Sequence, residues 1–292
     1  MPVSKEERAA QAAKHLSFVK GVFAKETESS IQTATIYEDG EARAAQLPEP
    51  KAETTETAVT TAFAVSALQD ASGKVTLVDA ASFTRPGGAY EDGAFGPEQV
   101  LCSESNLYPI LQGIKPAYHS KNRGYACGQL FTDRAAFLKD VVFNREGSMR
   151  TANVIVVPER KADVLAISEP LRVRALENHR SERECDACLA NRIETLLNIA
   201  ALQETETLIV GAFGCGRQGF PPAQVIEQFQ SWIDAHQGVI AKIVFAVPRV
   251  HFEAFDAAFG APKPAQEEVA AEPEEEEELF DPSDLPEGVT LR

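Results

Sequence analysis

The spacing of apolar residues along the chain predicts helices that alternate with short strands. Helical spacing occurs in residues 4–25, where Leu16, Val19 and Phe23 recur, in about 183–203, and in the segment that Pro221-Pro222 opens. Shorter helices are predicted over 57–68, 97–111 and 252–259, and a polar connection over 38–56. β-branched runs predict strands over 74–80, 151–159, 162–170, 207–210 and 242–248. This alternation indicates an α/β sandwich.

A change in composition divides the chain near Pro262. The predicted elements all precede it, whereas the last residues read "KPAQEEVAAEPEEEEELFDPSDLPEGVTLR". From Ala265 onward, eleven acids face one arginine, and this segment carries most of the net charge of −16. We therefore expect a folded domain over 1–262 and a disordered acidic tail over 263–292, with a protein partner of the tail as one option. The body is mildly acidic, which argues against general nucleic-acid binding.

Features linked to location point to a cytoplasmic protein. No apolar run reaches the ~20 residues of a membrane helix, and the charged N-terminus lacks the apolar core of a secretory signal. The five cysteines are scattered, which is typical of reduced thiols. Cys185 and Cys188 have the spacing of zinc and redox sites, but no second pair follows them, and incidental thiols in a helix are the commoner explanation.

Two glycine-rich turns each follow a predicted strand and precede a predicted helix. The first turn is Pro86-Gly87-Gly88-Ala89, and the second is Gly214–Gly219. We call residues 81–96, which contain the first turn, loop 1, and residues 211–221, which contain the second turn, loop 2. Glycines allow close approach of the backbone to a ligand, and free amides before a helix suit a phosphate. The standard P-loop and dinucleotide-binding patterns are both missing.

The residues around these turns resemble the microbial-type poly(ADP-ribose) glycohydrolases (PARG), a family with a macrodomain fold. The segment "VTLVDAASFTRPGGAYEDGAFGPEQVLCSESNLYP" is similar to the family's strand, PGGG turn, QEE motif and helix. "LFTDRAAFLKDVVFNREG" and "ADVLAISEP" resemble its next strands, and "LIVGAFGCGRQGFPP" resembles its diphosphate loop. The resemblance implies a three-layer α/β/α sandwich with a mixed central sheet, and an ADP-ribose cleft that needs no cofactor or metal.

The resemblance also assigns roles to residues. Glu98 stands for the Glu that holds the ribose, and Gln99 stands for the catalytic Glu, so that the signature is degenerate at its catalytic position. Ala89 replaces the third glycine, Arg85 replaces an Asn, and Gln218 replaces a Phe. The predicted ligand-binding residues are Asp79, Arg85, Pro86, Gly87, Gly88, Ala89, Gly214, Cys215, Gly216, Arg217, Gln218 and Gly219.

Three functions follow as alternatives. The first is a module that binds ADP-ribose, free or on a protein, without cleaving it, because Gln cannot exchange a proton as a general acid must. The second is a hydrolase of ADP-ribosyl bonds that uses Glu98, or another acid such as Glu91 or Asp92. The third is a scaffold that acts through its acidic tail. Tyr118 and Tyr125 are candidates for stacking on a base, although packing is the commoner role of such residues.

Overall fold

A computed structural model describes residues 3–147 and 154–261 of the chain. Its centre is a seven-stranded mixed sheet with the order β1-β4-β5-β3-β6-β7-β2. The strands are β1 (Thr35–Tyr37), β2 (Glu56–Thr60), β3 (Val75–Ala80), β4 (Ala135–Gly147), β5 (Val154–Ile167), β6 (Thr207–Val210) and β7 (Lys242–Ala246).

The pairing of the strands is parallel over most of the sheet. β5, β3, β6, β7 and β2 run in the same direction, whereas β4 is antiparallel to both β1 and β5. Parallel strands covered on both faces need apolar residues on both sides, as in β6, where all four residues are buried.

Helices cover both faces of this sheet. The first three are α1 (Lys5–Val22), α2 (Ala24–Gln32) and α3 (Glu41–Ala44), and α4 is Ala64–Asp70. The others are α5 (Pro97–Glu104), α6 (Leu107–Gly113), α7 (His119–Asn122), α8 (Arg172–Glu177), α9 (Glu182–Leu202), α10 (Pro222–Ala235) and α11 (Arg249–Phe259).

Two apolar cores separate the three layers. In one core, α9, α10 and α11 pack on the sheet through residues such as Leu196, Phe229 and Phe255. In the other, α1, α4, α5 and α6 pack on the opposite face through residues such as Leu68 and Ile110. The predicted three-layer α/β/α sandwich, like a macrodomain, is therefore confirmed.

Several predicted elements are confirmed. The strands over 74–80, 207–210 and 242–248 match β3, β6 and β7 to within two residues, and the helix over about 183–203 is α9. The predicted apolar face of α9 is wholly buried, and Ser181 caps its first turn in a box with Glu184. The helix over 4–25 ends as α1 at Val22, and α2 continues from Ala24.

Other predictions are wrong in part. The helix over 57–68 begins only at Ala64, because Glu56–Thr60 pairs with β7 as a strand at the sheet edge. Residues 97–111 form two helices, since Ser105 ends α5: its hydroxyl donates to the Leu101 carbonyl and accepts from the Leu107 amide. The two strands predicted over 151–159 and 162–170 are one strand, β5, and residues 151–153 lie outside the described residues.

Residues Met1–Gly260 form one compact unit. The boundary at 262 remains a prediction, and the predicted tail over 263–292 lies outside the described residues. None of the helices in the described part of the chain combines the length and apolar character that a membrane crossing requires.

Candidate functional site

The two glycine-rich loops leave the same edge of the sheet from neighbouring strands. Loop 1 follows β3 and loop 2 follows β6, and these two strands pair in parallel. The carboxyl ends of parallel strands meet at one edge, where open α/β sheets bind their ligands. The structure therefore brings together the two turns that lie more than a hundred residues apart in the sequence.

Loop 1 depends on two glycines in left-handed conformation. Gly87 has φ of +62° and Gly88 has φ of +57°. A Cβ at Gly87 would lie 2.4 Å from the ring of Tyr108, and one at Gly88 would lie 2.7 Å from Nε2 of Gln99. Ala89, by contrast, has no positive φ, so its backbone does not require a glycine.

The N-terminal helix supports loop 1 from outside. The Tyr90 hydroxyl lies 2.9 Å from Nδ1 of His15, and Arg8 donates to the Gly93 carbonyl at 2.7 Å. A Cβ at Gly93 would lie 2.0 Å from the Lys5 carbonyl oxygen, which shows how closely α1 approaches the loop. α1 is thus part of what holds the loop in place.

Glu98 lies in the first turn of α5 and is almost completely buried. Its Oε2 accepts hydrogen bonds from the hydroxyl (2.6 Å) and the amide (3.1 Å) of Ser82. Oε1 is buried and has no hydrogen-bond partner among the described residues. Burial raises the pKa of Glu98 to about 7, against the opposing effect of the Ser82 hydrogen bonds. This carboxyl can therefore hold a proton near neutral pH.

Gln99 is held in a fixed orientation beside Glu98. Its Nε2 donates to the Gly87 carbonyl at 3.1 Å and lies 3.4 Å from Oε2 of Glu98. Its Oε1 points towards Gly96, where a Cβ would approach to 2.8 Å. The amide therefore braces loop 1 against α5.

Asp79 is a second buried carboxyl beneath α5. It is wholly buried near the end of β3, and neither of its carboxylate oxygens has a hydrogen-bond partner in the described part of the chain. Burial, and then the charges of Glu98 and Glu169, raise its pKa well above the usual range. The Asp79 carboxylate is therefore buried without a hydrogen-bond partner among the described residues, and its role as a ligand-binding residue stays a prediction.

Loop 2 contains amides that are already engaged and amides that are free. Within the loop the amides of Cys215 and Gly219 donate to the carbonyls of Ala212 and Gly216. The amides of residues 216–218 make no hydrogen bond to any described residue. Gly214, Gly216 and Gly219 all have positive φ, which shapes the turn. Cys215 is buried, and burial raises its thiol pKa to about 12.

Glu169 is a site residue that the sequence reasoning missed. It follows β5, accepts the Gly214 amide at 2.7 Å, and also binds the side-chain amide of Gln218. Burial raises its pKa to about 7, although these two hydrogen bonds oppose the shift. An acid two residues after a buried strand, as in "ADVLAISEP", was the signal that could have found it. Glu169 ties loop 2 to the strand next to loop 1.

The charged residues of both loops point to solvent. Arg85 is exposed and forms a salt bridge with Asp92 (Nη2 to Oδ2, 2.6 Å). Asp92, one of the acids considered as an alternative catalyst, is therefore already paired with a cation. Glu91 and Arg217 are also exposed, whereas Pro86 is buried. Each of the predicted ligand-binding residues except Asp79 thus belongs to one of the two loops.

The remaining candidates separate into core and surface. Tyr118 is fully buried, and its hydroxyl donates to the Arg134 carbonyl, so it packs in the core and is not available for stacking. Tyr125 is 54% exposed. Cys185 packs in the core, and the Cys188 thiol donates to the Leu130 carbonyl. Over residues 3–147 and 154–261 no three His, Cys, Asp or Glu side chains are placed to hold a metal ion.

A comparison with protein families matches residues 8–146 to the model described as "Microbial-type PARG, catalytic domain". This range contains loop 1, Glu98 and Gln99. Over residues 8–146 the chain is therefore similar to the microbial-type PARG family. Loop 2 and Glu169 follow this matched segment in the chain.

Solved PARG structures share the fold over most of the chain. PARG from Thermomonospora curvata is 24% identical, with a TM-score of 0.74 over 87% of this chain and 98% of that one. The same enzyme bound to the inhibitor ADP-HPD gives a TM-score of 0.72. PARG from Deinococcus radiodurans in complex with ADP-ribose is 22% identical, with a TM-score of 0.70 over 80% of this chain and 96% of that one. Among curated proteins no match was found.

Proposed function

We propose that this protein binds ADP-ribose, either free or as the terminal unit on a protein. The observation that carries the proposal is the meeting of loops 1 and 2 at one sheet edge, with Glu98 buried at the start of α5 and hydrogen-bonded to Ser82 of loop 1. The similarly folded PARG from Deinococcus radiodurans has been solved in complex with ADP-ribose.

Each part of the cleft has a role in this binding. The free amides of residues 216–218 receive the diphosphate, because backbone N–H groups in a tight turn form an anion-binding concavity. The left-handed conformations of Gly87 and Gly88 shape the turn of loop 1 on which the sugar lies. The free Oε1 of Glu98 accepts a ribose hydroxyl. Binding in this form needs neither a metal ion nor a cofactor.

Calorimetric titration with ADP-ribose tests the proposal. Wild-type protein is expected to bind, and Gly88→Val is expected not to bind, since its side chain would meet Ser82, Glu98 and Gln99. Gly124→Val is a control, because nothing lies within 4 Å of a Cβ there. Lack of binding by folded wild-type protein at millimolar ligand would refute the proposal.

A second candidate function is hydrolysis of ADP-ribosyl bonds with Glu98 as the acid. The observation that favours it is the burial of Glu98, which raises its pKa to about 7 and so keeps a proton available. In this reaction the Glu98 carboxyl gives its proton to the glycosidic oxygen as the C1″–O bond breaks. Water then adds to C1″, and its proton returns to the Glu98 carboxylate.

Turnover and binding separate the two functions. A protein that only binds ADP-ribose releases none of it from poly(ADP-ribose) or from a modified protein. A hydrolase releases ADP-ribose, and Glu98→Ala loses this turnover while it still binds the product. Turnover that survives in Glu98→Ala would exclude Glu98 as the acid and direct attention to Glu91.

Two further expectations concern the whole chain. A scaffold function through residues 263–292 lies outside the described residues and stays a prediction, as does the partner of that segment. The cytoplasmic location likewise stays a prediction.

A further inference from the structure

Three of the five cysteines lie together beside residues 126–131, which we call the cysteine turn. Cys127 is exposed within this turn, Cys188 is half-buried in α9, and Cys185 is buried three residues before it. None of them belongs to the two loops of the candidate site. We propose that Cys127 and Cys188 form a reversible disulfide that weakens ADP-ribose binding. The effect on binding rests on the proposed function, whereas formation of the disulfide does not.

Leu130 connects the two residues that carry these thiols. The Leu130 amide donates to the Cys127 carbonyl at 3.4 Å, and the Leu130 carbonyl accepts the Cys188 thiol, also at 3.4 Å. Arg192 donates to the same carbonyl at 3.1 Å and to the Cys188 sulfur at 3.8 Å. Burial raises the pKa of the Cys188 thiol, an effect that Arg192 opposes and that the nearby Cys127 increases. Cys127 and Cys188 are therefore neighbours in space, although they are far apart in the sequence.

The two thiols differ in access, which sets the order in which they react. Of the five cysteines, all of which the structure describes, only Cys127 is exposed. It is therefore the thiol that a dissolved oxidant reaches first. Cys188 lies deeper, with the Arg192 guanidinium at its sulfur, and a cation in this position stabilises the thiolate that attacks an oxidised partner. An accessible cysteine beside a second one is the arrangement of redox-sensing pairs.

The oxidant in this reaction is hydrogen peroxide. The Cys127 sulfur attacks one peroxide oxygen, the O–O bond breaks, and the other oxygen leaves as water with the thiol proton, so that Cys127 becomes a sulfenic acid. The Cys188 sulfur then attacks the Cys127 sulfur, the S–O bond breaks, and a second water leaves with the Cys188 proton. The two thiols lose two electrons, and these reduce the peroxide to the two waters. A dithiol reductant reverses the reaction by thiol–disulfide exchange.

Formation of the disulfide removes a contact that holds the cysteine turn. Cys188 loses the S–H group that it donates to the Leu130 carbonyl. The turn depends on such contacts, because Cys127, Gln129 and Phe131 all have left-handed backbone, with φ of +46°, +75° and +63°. Residues with a Cβ keep this conformation only where neighbouring groups hold them in it. Loss of the thiol contact, together with the new S–S bond, therefore shifts the turn.

The cysteine turn contacts the supports of both loops of the cleft. Phe131 stacks on Phe83 of loop 1, with ring centroids 4.5 Å apart. The Gln129 carbonyl accepts the Leu171 amide at 3.0 Å, and Leu171 lies two residues after Glu169, which binds loop 2. A shift of the turn therefore reaches loop 1 directly and loop 2 through the β5–α8 connection. Since the thiol state is the one in which both loops have the geometry described above, oxidation is expected to weaken binding.

Peptide mapping of the full chain after treatment with hydrogen peroxide tests the disulfide. Digestion with trypsin, without reductant, is expected to give a cross-link between the peptides 124–134 and 184–192. Cys185 and Cys188 share the second peptide, so Cys185→Ala separates them and is expected to keep the cross-link. Cys127→Ser is expected to abolish it, and dithiothreitol is expected to reverse it. A disulfide within 184–192, or oxidation of Cys127 without a cross-link, would overturn the proposal.

Calorimetric titration with ADP-ribose before and after oxidation tests the effect on the cleft. Oxidised wild-type protein is expected to bind roughly three- to tenfold more weakly than reduced protein, the effect of one lost aromatic pair, and dithiothreitol is expected to restore the affinity. Cys127→Ser is the matched control: its affinity is expected to be the same before and after peroxide, which also accounts for oxidation of other residues.

The two parts of the test separate the possible failures. A mapped cross-link with unchanged affinity would overturn the switch. A loss of affinity that also occurs in Cys127→Ser would assign the effect to another residue and overturn it as well. Wild-type protein that binds no ADP-ribose in either state would refute the proposed function, whereas the peptide map would still decide whether the disulfide forms.

Discussion

The side-chain amide of Gln99 lies beside the buried carboxyl of Glu98, and only the carboxyl can act as a general acid in the cleft. The Nε2 group of Gln99 can only donate, and it does so to the Gly87 carbonyl. Glu98 lies next to it with a free Oε1 and a pKa raised by burial to about 7. The cleft therefore keeps one carboxyl able to hold a proton.

The substitution Gln99→Glu is predicted to create or increase glycohydrolase activity. The Gly87 carbonyl favours a donor at this position, so the new carboxyl is expected to stay protonated, as a general acid must. A positioned acid contributes roughly 10²- to 10⁴-fold to such reactions. Release of ADP-ribose from poly(ADP-ribose) measures the effect. Gln99→Met, of similar size but without a proton to give, is the control and is expected to show no gain in activity over the wild type.

The substitution Glu98→Gln is predicted to stabilise the protein in mildly alkaline buffer. The folded-state pKa is raised, so the stability contribution of Glu98 is complete below its usual pKa and is lost as the pH rises towards about 7. A shift of this size corresponds to on the order of 3 kcal/mol in the free energy of unfolding.

Thermal unfolding of both proteins at about pH 5 and about pH 8 measures this difference. The variant should gain stability over the wild type at the higher pH and little at the lower one. Comparing the two proteins at each pH cancels the contributions of His15 and His119, whose pKa values burial lowers to about 3 and about 4. An equal gain at both pH values would contradict the buried state of Glu98.

At the scale of elements, loop 2 depends on a residue from another strand. Glu169 follows β5 and receives both the Gly214 amide and the Gln218 side chain. Arg172 in α8 also donates to the Gly219 carbonyl at 3.2 Å. The shape of loop 2 is thus set from the β5–α8 connection as well as by its own glycines.

The substitution Glu169→Ala is predicted to weaken ADP-ribose binding at least tenfold. It leaves the buried Gly214 amide without its acceptor, which costs about 1–3 kcal/mol, and releases the loop that presents the amides of residues 216–218. Glu169→Gln keeps an acceptor oxygen for this amide and is expected to bind more tightly than Glu169→Ala. Titration with ADP-ribose checks both, and equal affinities for the two variants would show that Gly214 does not need this acceptor.

At the scale of the molecule, the compact unit carries all the elements of the cleft. It spans Met1–Gly260, and both loops of the site lie within it. The net charge of the whole chain, by contrast, comes mostly from the segment after Ala265. We therefore expect that removal of the charged segment leaves ligand binding by the compact unit unchanged.

Deletion of residues 263–292 is predicted to leave ADP-ribose affinity unchanged within about twofold and the midpoint of thermal unfolding unchanged. The reason is the composition of the segment, which is too poor in apolar residues to contribute to a core. Calorimetry and thermal unfolding of the shortened chain test this. A clear loss of stability would move the domain boundary beyond 262.

The sequence by itself determined the sandwich, the strands that carry both loops, and the candidate residues of the cleft. These features are local: the apolar period of α9, the β-branched run of β3 and the glycines at 87 and 88 each act over a few residues. The family resemblance added the expected roles of Glu98 and Gln99.

Only the tertiary structure decided how the parts combine. The strand character of Glu56–Thr60 comes from pairing with β7, and the role of Glu169 comes from a loop 45 residues away in the sequence. Whether Glu98 holds a proton depends on its burial against loop 1. Burial and strand register arise from contacts between distant segments, and the local pattern of a single chain does not specify them.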